Sequence, residues 1–566
     1  MLRATVGLSG VAPLLGFRPK ALAYMLYKVP ETSKYTEFQL HKRSGGKRTI
    51  RAPVPELKTL QRRLSILLQD CVSDINQERG VHRAIAHGFR RNCSIVSNAS
   101  SHKHKRYVLN MDLEGFFDAF NFGRVRGFFI SNHNFSLPPE TATVLAQIAC
   151  YDNGLPQGSP CSPVISNLIG HIMDMRLVAL AKEAGCAYSR YADDITFSTN
   201  KLQFPSEIAL RENETHVWVP SAGLESIIQR SGFAINQTKT RMQYRQSRQD
   251  VTGLVVNAKV NTRIEYYREA RSKCNALFNS GKYYNKVFKP DENGNLVEEE
   301  EWGTVEQLNG VLSFIDFVKV SNLSQDLRRP LTGPETLYTR FLLYRYFFAH
   351  GRPLIICEGK TDNIYVRAAI TRLAPKHKTL VRVEEGKPEL QISLFNYTAT
   401  TARLLGLSGG TGGFNQLAQR YRTARLKFKS EGESQPVIFL VDNDSGAECV
   451  FSAIRQHART KQVDKNKPFY RLGHNLYVVL TPRTGADGDT MIEDLFDKSI
   501  RATKLGGKSF NPGSYINQTK EYGKFLFAEH VVRKNQAKID FSGFEPLLTR
   551  IVAAIKDHRK RVKPQT

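Results

Sequence analysis

Three carboxylates in the first half of the chain stand where short apolar runs end. Asp112 closes the run YVLNMD, and Asp193 and Asp194 fall between two strand-like runs in SRYADDITFS, as at the tip of a hairpin. Carboxylates gathered in this way repel one another unless a countercharge joins them, and two Mg²⁺ ions are the natural remedy. Such ions lower the pKa of an attacking hydroxyl and stabilise the leaving oxygen in phosphoryl transfer. An isolated Asp-Asp pair is more often a turn or a helix cap. Here NGLPQGSPCSPVISN, residues 153 to 167, lies between the acidic signals. Its Gly154 and Gly158 let backbone approach a ligand, while Pro156 and Pro160 stiffen the turn.

A second acidic set follows in the C-terminal half. PLIICEGKTD, residues 353 to 362, reads as a buried strand ending in Glu358, and PVIFLVDNDSG, residues 436 to 446, as another ending in Asp442 and Asp444. Parallel strands would bring these acids to one sheet edge, a second place for Mg²⁺. Glu493 and Asp494 in MIEDLF follow, and read from the residues alone they could be the solvated face of a helix.

Together, the earlier aspartate, the Pro-Gln-Gly turn and Tyr-Ala-Asp-Asp resemble the reverse-transcriptase family, where they occur in this order. NASSH at 98 to 102 and VTGLVVN at 251 to 257 are similar to the N-A-x-x-H and V-T-G signatures of bacterial retron reverse transcriptases. The likeness runs over about residues 10 to 335, including AHGF at 86 to 89 and a thumb-like helix at LNGVLSFIDFV. It implies catalysis by Asp112, Asp193 and Asp194, clamping of the triphosphate by Arg48 and Lys47, a nucleotide pocket lined by Gln157, and Phe117 as a steric gate against a 2′-hydroxyl. Lys239 would lie near the phosphates, and Asn98, His102, Val251, Thr252 and Gly253 would serve RNA contact or positioning. Implied partners are dNTPs, a cognate structured noncoding RNA and the branched msDNA primed from a guanosine 2′-hydroxyl in it.

The C-terminal set resembles the TOPRIM domain of primases, topoisomerases and OLD-type nucleases, implying metal binding by Glu358, Asp442 and Asp444 with Glu493 nearby. No nucleophilic tyrosine of a topoisomerase and no primase template apparatus is legible. The resemblance therefore implies an effector nuclease cutting DNA or RNA in anti-phage defence, restrained by the RNA–DNA product. A group II intron-type maturase should instead carry a DNA-binding or H-N-H tail. A non-catalytic nucleic-acid-binding scaffold would not need all six principal carboxylates.

The elements that must position these residues follow from patterning. The reading is a multidomain α/β and α+β chain: a right-hand polymerase with fingers, palm and helical thumb, then a TOPRIM α/β domain with a parallel sheet. Its segments are a helical start (1–40), fingers (41–106), palm (107–256), thumb (257–335), a linker helix (336–352), TOPRIM (353–500) and a helical extension (501–566). The fingers open on a basic hairpin, HKRSGGKRTIRAP, that leads into a helix through Leu57, Leu60, Leu64 and Leu68. KPDENGNLVEEEEWG, residues 289 to 303, reads as an exposed acidic insertion, and LSGGTGGFN, with no P-loop lysine, as a flexible turn.

Composition sets the limits. In 566 residues, 81 lysines and arginines against 53 acids give a charge of +28, which favours a polyanionic partner. Eight cysteines without a C-x-x-C pair support neither a disulfide framework nor a cysteine-rich zinc site and point to a cytosolic protein, which the retron resemblance makes bacterial. No stretch near the N-terminus approaches the roughly 20 apolar residues of a membrane span. Oligomeric state is left open, with self-assembly around msDNA compatible with a restrained effector.

Overall fold

The computed structural model describes residues 1–41, 46–81, 83–212, 216–291, 296–323, 329–407, 413–458, 460–483, 488–513 and 515–562. Most of the glycine-rich segment, residues 408 to 412, lies outside them. Contacts divide the chain into two compact units, one of residues 1–264 and 318–322, the other of 265–317 and 323–566.

In the first unit β1 (Tyr35–His41) and β2 (Lys47–Pro53) form an antiparallel hairpin. Directly after it Pro55, whose missing N–H costs nothing in the first turn, opens α1 (Pro55–Glu78), which buries Leu57, Leu60, Leu64 and Leu68 at helical spacing. A six-residue helix, α2 (Ile95–Ser100), starts from a Ser94 capping box. The central strand β3 (Tyr107–Glu114) is followed by α3 (Ser162–Glu183), and then β4 (Ala187–Tyr191) and β5 (Asp194–Thr199). With β6 (Ala234–Ile235) and β7 (Arg241–Tyr244) they make an antiparallel sheet in which β3 pairs with β5, β6 and β7. A small hairpin of β8 (Asp250–Val251) and β9 (Leu254–Val255) closes this part.

The pleat alternates, so residues two apart share a face. Leu109, Met111, Ile195 and Phe197 turn into the core, whereas Asn110, Asp112, Asp194, Thr196 and Ser198 line the other face. Among the described residues one helix, α3, has the length and apolarity to cross a bilayer, but it is half buried in this core and its Asp174 is bonded to Arg190.

The second unit begins with helix α4 (Ile264–Ser280), then β10 (Tyr284–Pro290) and β11 (Leu296–Trp302), helix α5 (Val305–Val320) and helix α6 (Gly333–Leu343). The stretch expected as a turn-rich acidic insertion is thus largely a β-hairpin, with Tyr284 stacked on Trp302 across it. A five-stranded sheet follows. It contains β12 (Leu354–Cys357), β13 (Ser393–Leu394), β14 (Val437–Val441), β15 (Tyr470–Gly473) and β16 (Leu476–Leu480), in the order β13-β12-β14-β16-β15, with only β15 antiparallel. Two apolar cores cover its faces. Residues of α4, α5 and α6, including Phe278, Leu312 and Phe341, share one core with Phe439 and Val478 of the sheet. The other core joins Ile355, Ile438 and Val479 to α7 (Asp362–Arg372) and the C-terminal α8 (Glu545–Val562). The helices expected as a thumb therefore share their core with the C-terminal sheet.

Candidate functional site

Antiparallel register sets Asp112 directly opposite Asp194 across β3 and β5, and Tyr191 opposite Asp194 across the β4–β5 turn. The turn is two residues long, and Ala192 takes φ +57, the left-handed region that such tight turns demand. The Leu113 N–H donates to Asp193 O at 3.0 Å and the Asn236 N–H to Asp112 O at 2.8 Å, tying the three acidic positions to one backbone frame. Desolvation and then the Asp112 charge raise the Asp193 carboxyl, with Lys239 and Arg48 opposing. Desolvation, Asp193 and Asp112 push Asp194 up to about 6, although the residue as a whole is exposed.

Lys239 Nζ donates to Asp112 Oδ1 at 2.9 Å and serves as the local countercharge. Arg48 lies on exposed β2, as does Lys47. The Arg51 N–H donates to Gln157 O at 2.8 Å, which staples the hairpin to the Pro-Gln-Gly turn. Gly158 is required there: its φ is +127 and a β-carbon would lie 2.6 Å from Arg51 O. Phe117 is half-buried, its ring centroid 5.5 Å from Phe116 and 6.5 Å from Phe89.

Asn98 and His102, expected at RNA contact or in positioning, are respectively 1% and 0% exposed, which leaves neither side chain a surface to offer an RNA. His102 bridges Ser198 Oγ and Ser189 Oγ, each at 2.7 Å, and Ser189 donates to Asn98 Oδ1 at 2.6 Å. Since Ser189 spends its proton on Asn98, it accepts from His102 Nε2–H, and Nδ1 accepts from Ser198. That neutral tautomer agrees with burial pushing the imidazole down to about 3. The pair thus positions the strands that carry Asp194, on the same sheet face as the carboxylates. Val251 is buried, whereas Thr252 and Gly253 form the β8–β9 turn with φ +47 and +80, and Thr252 Oγ1 donates to Ile95 O of α2 at 3.3 Å.

Sequence reasoning passed over Arg190, which is fully buried. Its guanidinium holds Asp174 bidentately, Nε and Nη2 each at 2.8 Å, and donates from Nη1 to Ala192 O at 2.9 Å. The arginine directly before Tyr191 was the available signal, but strand periodicity alone does not reveal its partner on α3.

In the second unit the strand ends deliver their acids to one edge. Glu358 follows β12 and its Oε2 accepts from Asp442 N–H at 3.2 Å, just beyond β14. Asp442 Oδ1 in turn accepts from Ile492 N–H at 2.8 Å, bringing the MIEDLF segment alongside. Glu493 is 1% exposed and accepts from Lys524 Nζ at 3.1 Å. Asp494 turns elsewhere, accepting from Met491 N–H and pairing with Arg501. Asp362, which closes the PLIICEGKTD run but was given no role, is buried and accepts from Gly359 N–H at 2.7 Å, and Lys524, which was not foreseen, places a charge that acts on Glu493, Asp442 and Asp362. Desolvation, then Asp362, Glu493 and Glu358, push Asp442 up to about 8, and desolvation also raises Glu358.

Among the described residues no three acid, imidazole or thiol groups converge at metal-ligand spacing as they stand. Both clusters nevertheless fit Mg²⁺ by donor chemistry, being hard carboxylate oxygens crowded enough to raise their own pKa values. Asp444 Oδ1 and Glu493 Oε1 are also buried without a hydrogen-bond partner. Occupying either cluster requires the side chains to re-aim.

A pH dependence follows. An acid raised from 3.8 to about 6 (Asp194) or about 8 (Asp442) binds more protons folded than unfolded. The metal-free fold therefore loses stability as pH rises through those values. Mg²⁺ substitutes for the protons, so its stabilisation of the melting temperature should be larger at pH 8 than at pH 5, with protons released on titration. A Mg²⁺ shift of the same size at both pH values would refute this.

A sheet that presents paired carboxylates on a tight hairpin, opposite a third on the central strand, gathers the hard oxygen donors that divalent cations take. The family profile "Reverse transcriptase (RNA-dependent DNA polymerase)" matches residues 40–259. The Ec86 retron reverse transcriptase of Escherichia coli is 34% identical over 248 residues, covering 43% of this chain and 70% of that protein. The Mx162 retron reverse transcriptase of Myxococcus xanthus is 35% identical over 265 residues, 44% of this chain, and the chain spans only 53% of that relative's length. A solved telomerase from Candida albicans overlaps with a TM-score of 0.32 at 11% identity, covering 72% of this chain and 65% of that one, too loosely to carry an argument. The chain belongs to the retron reverse transcriptases.

Proposed function

We infer that the first unit is an RNA-directed DNA polymerase that copies its own structured noncoding RNA into branched msDNA. The observation that carries this is Asp112 in register with Asp194, with Asp193 beside it on the two-residue turn. Asp112, Asp193 and Asp194 would hold Mg²⁺, which would supply the charge that activates the primer hydroxyl and stabilises the leaving pyrophosphate. The chain's own residues do the rest. Arg48 and Lys47 clamp the incoming triphosphate from β2, Gln157 lines the nucleotide pocket, and Phe117 excludes a 2′-hydroxyl. Lys239 leaves Asp112 for the phosphates as the site fills, and the Thr252–Gly253 turn faces the RNA. The protein works in the bacterial cytoplasm with no membrane partner. Purified chain, noncoding RNA, dNTPs and Mg²⁺ should yield labelled DNA, and its absence would reject the reading.

A second activity is favoured by the separate acidic edge in the other unit. There, Glu358, Asp442 and Asp444 hold Mg²⁺ as in a TOPRIM nuclease, with buried Glu493 placed to assist. DNA or RNA is the target, anti-phage defence the setting, and msDNA the restraint, within an assembly of several copies if the effector is held silent that way. Glu358→Gln should leave DNA synthesis within about twofold, because it belongs to the other unit, while abolishing toxicity or protection against phage. Undiminished protection in that variant would remove the effector assignment.

A further inference from the structure

Beside the second acidic edge the chain builds a surface that the carboxylates do not use. Residues 515–521 fold back on Asn511: Glu521 Oε2 accepts from Asn511 Nδ2 and Asn517 N–H, each at 2.9 Å, and Asn511 Nδ2 also donates to Tyr515 O at 3.1 Å. This staple holds up the Tyr515 ring, which is 92% exposed. Ile516 fills the space that a β-carbon at Gly523 would need, so the loop lies against the residues that carry Lys524 to Glu493. The next residue, Phe525, is 66% exposed, in contrast to Phe527, which is buried and stacked on Phe510. Holding two aromatic rings in water forgoes burial that the fold takes elsewhere in the same segment.

The segment that carries them is mostly basic. Between residues 498 and 538 there are nine lysines and arginines and two glutamates, and Lys504, Lys520, Lys534 and Lys538 are exposed. Exposed rings interleaved with cations suit unpaired nucleic acid, whose bases stack on aromatic faces while its phosphates follow the positive charge. Paired bases offer no such faces to a ring.

We propose that Tyr515 and Phe525 form a base-stacking platform that feeds an unpaired nucleic-acid strand to the Glu358–Asp442–Asp444 edge. This rests on the nuclease reading and names its substrate class. Lys524, between the loop and Phe525, is the point where the platform meets the acidic cluster.

The test is photo-crosslinking of the full chain to oligonucleotides carrying 5-iodouracil, as single-stranded DNA, single-stranded RNA and duplex DNA, with adducts mapped by mass spectrometry. Adducts should appear on Tyr515 and Phe525 with an unpaired strand and fall about tenfold or more with the duplex. The better of the two single strands identifies the natural source. In parallel, a Tyr515→Ala/Phe525→Ala variant with wild-type melting temperature should cleave the preferred strand about tenfold or more slowly. Adducts at these rings without any cleavage by the wild type would keep the platform and discard the nuclease. Cleavage that is unchanged in the variant, with no adducts at either ring, would overturn the platform and leave the nuclease standing. Self-association that the variant abolishes, again without adducts, would also overturn it, marking the rings as a contact between copies.

Discussion

Asp193→Asn should reduce DNA synthesis on the noncoding RNA by about a thousandfold or more while leaving the metal-free fold at least as stable as wild type. The loss follows from the several kcal/mol of transition-state charge stabilisation that a divalent ion gives phosphoryl transfer, with every 1.36 kcal/mol worth about tenfold. The stability change has the opposite sign because desolvation and the nearby Asp112 charge disfavour the Asp193 charge. An amide of the same shape removes that repulsion and keeps the Leu113 N–H bond, which is made to the Asp193 backbone. Misfolding would lower activity and melting temperature together, so the two readouts separate chemistry from collapse. Synthesis within tenfold of wild type would show that this carboxylate is not in the reaction.

The acidic positions were legible because strand-end motifs fix residue order and, through two-residue turns, register. Tyr-Ala-Asp-Asp specifies a hairpin tip, and the left-handed Ala192 is the one backbone cost that such a tip imposes. The Pro-Gln-Gly turn was legible as glycine and proline chemistry, although its partner, the backbone of Arg51, was not. What the sequence withheld was direction. Ser189 and Arg190 are neighbours on β4 and point to opposite faces, one to His102 and the other to Asp174. A one-residue difference decides which, and nothing local says which face is wet. Asn98 and His102 were therefore legible as RNA-contact or positioning residues, but not as interior bonds. In the C-terminal unit the strand-end acids were visible because parallel strands share an edge. Lys524 was not, since it reaches Glu493 from 31 residues away through elements with no pattern of their own. The core shared by α4 to α6 and the C-terminal sheet was likewise hidden, because an amphipathic helix declares that it has a partner but not which one.

The second large effect concerns Arg190. Both it and Asp174 have fully buried side chains, and Tyr188 Oη donates to the same carboxylate at 2.8 Å. Breaking one partner of such a pair strands the other charge in the core, at about 3–5 kcal/mol. Arg190→Met alone should therefore destabilise the first unit by about that amount. Replacing both, Arg190→Met with Asp174→Leu, removes the stranded charge, and buried pairs exchanged for apolar residues of like volume are often neutral in stability. If the pair were only a core tie, the double variant would recover synthesis with stability. The structure assigns it more, because Arg190 Nη1 also holds the carbonyl of Ala192, the left-handed residue between Tyr191 and Asp193. Without that donor the tip relaxes, and an ångström of displacement at reacting groups can cost about a hundredfold. The double variant should melt well above Arg190→Met alone, short of wild type by about the 1–3 kcal/mol of the Tyr188 hydroxyl it leaves unpaired, and still polymerise about a hundredfold more slowly, chiefly in kcat. Full recovery of rate with stability would reduce Arg190 to packing.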